Sequence, residues 1–323
     1  MNKKYKAAVI GCGSIGALKD NKYDSPEMPH NILTHAHAYY DCPDTELVAV
    51  IDMDIEKAKK AGDKWGCSTD TDILNFRNEN IDIISVCTPT ETHFDILKQV
   101  LELKPKLVVA EKPFCSNLKE AEEISAIYKQ AGIPMLINYT RRFEPDHIKV
   151  FNNLRTGEYG MIYHARCLYG RGLKRDGCHG LDIFNYTLGQ LHNVLWHNSI
   201  TDLEPNDPSY SLQLDYEKCA ETYMIAVDSR HYGLFELEFV TEKGIISFLN
   251  WGQKIFFFKP DNEKTYGQYK SLNRDNAFVN VTSMGRALSY MVESAVRYLR
   301  NNEPLICTPD DAIKVHKIIE GRG

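Results

Sequence analysis

Val9-Ile10-Gly11-Cys12-Gly13-Ser14-Ile15-Gly16 decides the reading of this 323-residue chain. An apolar run leads into GxGxxG. The first glycine of that pattern permits a tight turn, the second lets backbone approach a pyrophosphate, and the third lets a helix pack closely on the strand. The amide groups of the turn and the positive end of the helix it opens suit phosphates. Gly11, Gly13, Ser14, Ile15 and Gly16 are therefore expected to cradle a dinucleotide. A second apolar run, residues 47–51, ends at Asp52. A carboxylate there accepts from both ribose hydroxyls of the adenosine and repels a 2′-phosphate, which predicts NAD over NADP. Gly16 and Asp52 lie 36 positions apart, against ~20 in the usual motif. The surplus falls in residues 19–33, which contain Asn, Asp, Ser and two prolines and read as a loop inserted in the first βα unit.

Working outward, strand-sized apolar runs recur at 7–10, 47–51, 81–87, 107–110 and 135–139. Such unbroken runs suit parallel strands covered on both faces. Between them, residues 55–65, 92–103 and 117–131 carry apolar positions at helical spacing. Asn117 with Glu120 marks a helix start, and Gly132 with Pro134 its end. Alternating strand and helix predict a doubly wound parallel sheet over residues 1–141. From residue 159 to 258 the apolar positions alternate with polar ones, and Gly233 and Gly244 bound segments 234–240 and 245–251. These features indicate antiparallel strands. A helix over 182–188 closes at Gly189, and 283–300 and 309–320 read as final helices. Residues 142–323 are thus expected to form a second, α+β domain.

Composition narrows the function classes. Hydrophobic residues make up 43% and charged residues 25%, as in folded globular chains. The net charge of −6 argues against a nucleic-acid binder. No apolar stretch approaches the ~20 residues that span a bilayer, and the N-terminus lacks the apolar region of a signal peptide. The nine cysteines are odd in number and contain no CxxC. They read as reduced thiols of a cytoplasmic protein. His35 and His37 form an HxH, but nothing at ligand spacing completes a metal site.

Together these motifs resemble the Gfo/Idh/MocA family, named for glucose–fructose oxidoreductase and inositol dehydrogenase. The resemblance runs through GCGSIG at 11–16, THAHAYYDCPDTELVAVIDMD at 34–54 and VCTPTETHFDIL at 86–97. It continues through Glu111-Lys112-Pro113, NYTRRFEP at 138–145, DGCHGLDIFNYTLG at 176–189 and MVESAVRYLRNNEPL at 291–305. It implies an NAD-dependent oxidoreductase moving a hydride between nicotinamide and a secondary alcohol of a sugar or cyclitol. It also implies a second domain built on an open, mostly antiparallel sheet that carries the substrate and the oligomer contact. Thr88, Pro89, Glu111 and Lys112 are then cofactor contacts. Lys112, at the carboxyl edge of the parallel sheet, becomes the proton carrier. His179, ten residues before Gly189, becomes its partner, with Asp182 one helical turn on. Relatives carry an aspartate four residues before that histidine, where this chain has Arg175, followed by Asp176. His35 matches the histidine that follows the glycine loop in relatives, and His93 packs locally. Arg142 is structural in the first instance, and Tyr139 and Arg142 are candidates to line the substrate pocket.

Arg166, Arg171, Lys174 and Arg175 cluster before His179. They form either a solvated basic edge or an anion site, in which Arg171 and Arg175 grip a charged substrate. The second alternative points to a nucleotide-sugar oxidoreductase of surface-polysaccharide synthesis. A third class is a catalytically silent regulator that senses sugar or NAD. Residues 255–258 and 235–239 supply apolar side chains for the outer face of the second sheet, which predicts a homo-oligomer, dimer or tetramer.

Overall fold

A computed structural model describes residues 3–20, 31–272, 274–275 and 277–321. Residues 21–30, the middle of the expected inserted loop, lie outside the described residues. The chain forms two compact units, Met1–Phe143 with Gly285–His316, and Glu144–Met284 with Lys317–Gly323.

The first unit is built on strands β1 (Tyr5–Ile10), β2 (Thr45–Ile51), β3 (Ser68–Asp70), β4 (Ile83–Val86), β5 (Leu107–Ala110) and β6 (Met135–Ile137). They pair in the order β3-β2-β1-β4-β5-β6, all parallel. The order reverses between β1 and β4, the point where such sheets open a crevice for ligands. Every residue of β4, β5 and β6 is buried, which is why these strands read as unbroken apolar runs. Strand β3 is short, polar and partly exposed, so it carries no such signature.

Helices α1 (His35–Asp41), α2 (Ile55–Trp65), α3 (His93–Leu101) and α4 (Leu118–Ala131) cover the sheet. Their ends follow local chemistry. Asp54 accepts from the amides of Glu56 and Lys57 to start α2. Asn117 accepts from the Glu120 amide at 3.0 Å to start α4. Gly66 and Gly132, both left-handed, end them.

A division at 141 leaves everything beyond it in the second domain. The structure corrects this, because helix α7 (Ala287–Asn301) returns to the first unit. Arg300 pairs with Asp44 at 2.8 Å, Arg286 with Asp41 at 3.4 Å, and the Ile32 amide donates to the Gly285 carbonyl at 2.8 Å. Helix α8 (Pro309–Glu320) ends the chain as its pattern predicts.

The second unit opens with helix α5 (Pro145–Thr156) and contains helix α6 (Cys178–Thr187). Its strands are β7 (Ile162–Tyr169), β8 (Leu191–Ile200), β9 (Ser209–Tyr216), β10 (Cys219–Ala226), β11 (Phe235–Thr241), β12 (Gly244–Leu249), β13 (Lys254–Phe258), β14 (Pro260–Tyr266), β15 (Tyr269–Leu272) and β16 (Phe278–Val281). Eight form one sheet, ordered β16-β13-β12-β11-β7-β10-β9-β8, while β14 and β15 pair separately. All neighbours in the large sheet are antiparallel except β7 and β10.

Helix α6 packs on the inner face, where Phe184 meets Phe239 edge-on at 6.0 Å. Phe235, Leu237 and Phe239 all point into this core. The expectation that residues 235–239 supply the outer face therefore fails, because strand alternation turns their large side chains inward. Among the described residues, no helix is long and apolar enough to cross a membrane.

Candidate active site

The glycine loop in the first unit behaves as its three roles require. Gly11 has φ +96°, and a Cβ there would lie 2.7 Å from the Cys87 carbonyl carbon. A Cβ on Gly16 would lie 1.8 Å from the Gly11 oxygen, so only glycine permits this closeness. A Cβ on Gly13 would meet nothing within 4 Å, which leaves open space above the loop for a ligand. The loop enters a single π-helical turn, Ser14–Leu18. Ser14 is exposed, Ile15 half-buried, and Gly16 and Ala17 buried.

Asp52 ends β2, and its carboxylate is fixed on both oxygens. The Cys12 amide donates to Oδ2 at 2.8 Å and the Asp54 amide to Oδ1 at 2.9 Å. Met53 beside it is 92% exposed, so no cation at that position is present to receive a 2′-phosphate. Thr88 and Pro89 leave the carboxyl end of β4, with the Thr88 amide against Gly11. His93 is buried, with its ring nitrogens 2.8 Å from the Thr88 carbonyl and 3.1 Å from that of Phe114, which gives it the local packing expected. Burial, and then the Asp52 charge, push the Cys12 thiol up to about 12.

Strand β5 runs into Glu111-Lys112-Pro113, with a cis Lys112–Pro113 bond. The Glu111 carboxylate turns inward. Its Oε1 lies 2.8 Å from His35 Nε2 and accepts from Asn138 Nδ2 at 2.6 Å. Its Oε2 accepts from the Lys112 amide at 3.2 Å. His35 Nδ1 lies 3.0 Å from Ser85 Oγ, which lies 2.8 Å from the Tyr39 hydroxyl. Burial pushes the Glu111 carboxyl up, but the His35 bond and charge, Asn138 and the Lys112 charge outweigh it and hold the group below the usual carboxylate range. The Glu111 side chain thus has an internal task, fixing the backbone that carries Lys112. The expected HxH pair diverges, with His35 in this network and His37 Nδ1 3.4 Å from Asp20. Tyr139 and Arg142 are each 2% exposed. Arg142 Nη2 donates to the Ile306 carbonyl at 2.6 Å, a structural tie to the returning chain.

In the second unit, His179 sits in the first turn of α6 and is buried, with its ring edge-on to Phe235 at 6.2 Å. Asp182 lies one turn on and is also buried. Ahead of them, Gly170-Arg171-Gly172 is clamped from the β8–β9 connection. Asp202 Oδ2 accepts from the amides of Arg171 at 3.1 Å and Ser229 at 3.0 Å. Asp207 accepts from the amides of Lys174 at 2.9 Å and Arg175 at 2.8 Å. Burial raises the Asp202 carboxyl, but the amides of Arg171, Ser229 and Leu203 bring it below its ordinary value.

The basic cluster is charge-matched. Arg166 pairs with Glu238 at 2.9 Å, Arg171 lies 3.7 Å from Asp176, and Arg175 pairs with Glu204. Asp176, the residue next to the position where relatives carry aspartate, therefore faces Arg171.

One residue of this region escaped the sequence reading. Asn250, Trp251 and Gly252 are all left-handed, with φ of 51°, 60° and 87°. A tryptophan in that conformation is strained, and such strain persists only where the surroundings over-determine it. The Gly252 carbonyl accepts from Thr282 Oγ1 at 2.9 Å and lies 2.7 Å from His147 Nε2. The Trp251 indole stacks against Phe235 at 6.4 Å and 19°, and the Arg171 guanidinium lies 5.8 Å from its ring centre. The available signal was the Asn-Trp-Gly triplet at a strand end, where Asn and Gly tolerate left-handed backbone and Trp does not.

Residues 5–139 match the family profile described as oxidoreductase family, NAD-binding Rossmann fold. These residues therefore form a Gfo/Idh/MocA-type NAD-binding domain. It is 27% identical over 170 residues to the D-apiose dehydrogenase of Paraburkholderia graminis, covering 51% of this chain and 40% of that one. It is 25% identical over 217 residues to the scyllo-inositol 2-dehydrogenase (NAD(+)) of Bacillus subtilis, covering 62% and 59%. The chain thus spans 40% and 59% of the length of these relatives. An oxidoreductase of Agrobacterium radiobacter, solved with NAD+, L-tartaric acid and magnesium, superposes with a TM-score of 0.75 at 17% identity, over 98% of this chain and 95% of that one. That likeness shows a shared fold across both units.

Proposed function

We propose that the whole chain is a Gfo/Idh/MocA member and an NAD-dependent oxidoreductase of a sugar or cyclitol secondary alcohol. The observation that carries the reading is the glycine loop with its open space at Gly13 and the carboxylate of Asp52 fixed beside it. Nicotinamide, when bound, supplies the hydride acceptor. The chain supplies the rest. Gly11, Gly13 and Gly16 shape the turn for the pyrophosphate, with the backbone of Ser14 and Ile15. Asp52 accepts from the ribose hydroxyls, and Thr88 and Pro89 flank the loop. Lys112 takes the hydroxyl proton, while His179 and Asp182 hold the reacting alcohol. The test is NADH formation with a panel of sugars and polyols. The absence of turnover across aldoses, glycosides and inositols would reject the reading and leave a ligand-sensing protein.

The arginines do not favour a nucleotide sugar. Three of them already have carboxylate partners within the same unit, so the cluster carries little spare positive charge for a diphosphate. The nine free cysteines suit a reducing compartment, the cytoplasm.

NAD is expected to bind at least tenfold more tightly than NADP, about 1.4 kcal/mol. The cause is the fixed Asp52 charge, and Asp52→Ala narrows the gap. Calorimetric titration with both cofactors checks this, and equal affinity in the parent protein would overturn it.

Self-association is expected through the outer face of the large sheet. Val240, Ile245, Phe256 and Val279 lie across neighbouring strands on that face, with Val281 two residues on. Val279 is 41% and Val281 70% exposed. Exposed apolar side chains such as Val279 and Val281, grouped on one sheet face, suit an interface. Light scattering should give a dimer or larger species, and Val281→Lys should weaken it. A parent monomer at micromolar concentration would refute the idea.

A further inference from the structure

We infer that Trp251 and Arg171 form a recognition subsite for an uncharged pyranose or cyclitol ring. In this subsite the indole packs against the C–H face of the ring and the guanidinium donates to its hydroxyls. The inference rests on the oxidoreductase reading and deepens it by naming two side chains that select an uncharged ring.

The argument begins with strain. Among the described non-glycine residues only six have positive φ, and Arg171 and Trp251 are two of them. They come from distant points of the chain, yet the guanidinium of one lies 5.8 Å from the ring of the other. Strained residues cluster where a precise side-chain position is functional.

Each is held by its surroundings. Arg171 stands between Gly170 and Gly172, whose missing Cβ atoms would collide with Ser229 Oγ at 1.9 Å and Asp207 Oδ2 at 2.1 Å. Its amide is tied to Asp202. Trp251 is followed by Gly252, where a Cβ would meet the His147 ring at 2.6 Å. The indole also needs a bare neighbour, because a Cβ on Gly233 would lie 2.7 Å from Trp251 Cζ2. Four glycines therefore make room for this pair.

The chemistry then selects the ligand. The indole is partly exposed. Its electron-rich face attracts polarised C–H groups, and stacking on it is indifferent to which hydroxyl a ring carries. Arg171 lies 3.7 Å from Asp176, so its charge is balanced and an added anion gains little, while its fan of N–H donors suits neutral hydroxyls. Phe235 links the subsite to the candidate reacting group, touching Trp251 at 6.4 Å and His179 at 6.2 Å. Trp251 and His179 thus share Phe235 as a common neighbour.

The test uses the full-length protein saturated with NAD. Parent, Trp251→Ala, Trp251→Phe and Arg171→Lys are assayed with myo-inositol, methyl β-D-glucoside and D-glucuronate. Trp251→Ala is expected to raise KM for the best neutral substrate about tenfold, with kcat within about twofold. Trp251→Phe restores most of the loss, and Arg171→Lys raises KM without changing NADH affinity. An unchanged KM in Trp251→Ala, or glucuronate as the best substrate of the parent, overturns the proposal. If no compound turns over in the parent, the oxidoreductase reading fails and the subsite is judged separately. In a Trp65→Phe, Trp196→Phe background Trp251 is the remaining indole. Its emission should then change on titration with methyl β-D-glucoside or myo-inositol, and no change with either overturns the subsite.

Discussion

Lys112→Met is expected to keep the fold and the NAD affinity and to lose turnover by about 10²–10⁴, the usual contribution of a positioned acid–base group. Lys112 follows β5 at the carboxyl edge of the sheet, and β5 pairs with β4, one of the two strands between which the order reverses. Its amide is anchored by Glu111 Oε2 at 3.2 Å, so the backbone that aims the ammonium group is fixed from inside the unit. Methionine preserves the length of the stem and removes the proton carrier. Single-turnover hydride transfer and calorimetric NAD titration separate the two effects. A variant that turns over like the parent on the best substrate would remove Lys112 from the proton's path.

The parts of the fold that were legible from sequence were those whose cause is local. β5 and α2 sit at the residues their patterns define, because an unbroken apolar run and an Asp cap with a left-handed glycine are written in consecutive residues. Helix α6 begins at Cys178, four residues before the expected start, because the turn Leu173–Gly177 leads straight into it. The return of α7 to the first unit depends on ion pairs such as Arg300–Asp44, 256 positions apart, which no periodicity announces. The same holds at the site. Glu111 reads as a motif residue beside Lys112, but its partners His35 and Asn138 stand 76 and 27 positions away. The arginine cluster read as an open choice between a solvated edge and an anion site. Its balancing carboxylates Glu204 and Glu238 lie on strands and connections whose pairing the sequence leaves open.

Glu111→Ala is expected to cost about 3–5 kcal/mol, because it strips a buried polar network of its central acceptor and leaves His35 and Asn138 without their carboxylate. At a few degrees per kcal/mol, that lowers the first unit's melting midpoint by roughly 6–20 °C. Glu111→Gln separates charge from shape. The Glu111 carboxyl titrates below its ordinary value in the folded protein, chiefly because the His35 bond and charge outweigh burial. A depressed carboxyl stabilises the fold fully above its unfolded pKa, ~4.3, and that stability is lost as pH falls through the lower folded value. The parent should therefore weaken steeply on acidification below about pH 4. Glu111→Gln should start lower at neutral pH and show a shallower acid limb, since it has no charge to lose. Thermal melts from pH 3 to 8 make the comparison. Parallel acid limbs for parent and Glu111→Gln would show that the network owes nothing to the carboxylate charge. Because Glu111 also anchors the Lys112 amide, Glu111→Gln should lower kcat while leaving NAD affinity in place. A drop in cofactor affinity alone would instead place Glu111 among the cofactor contacts.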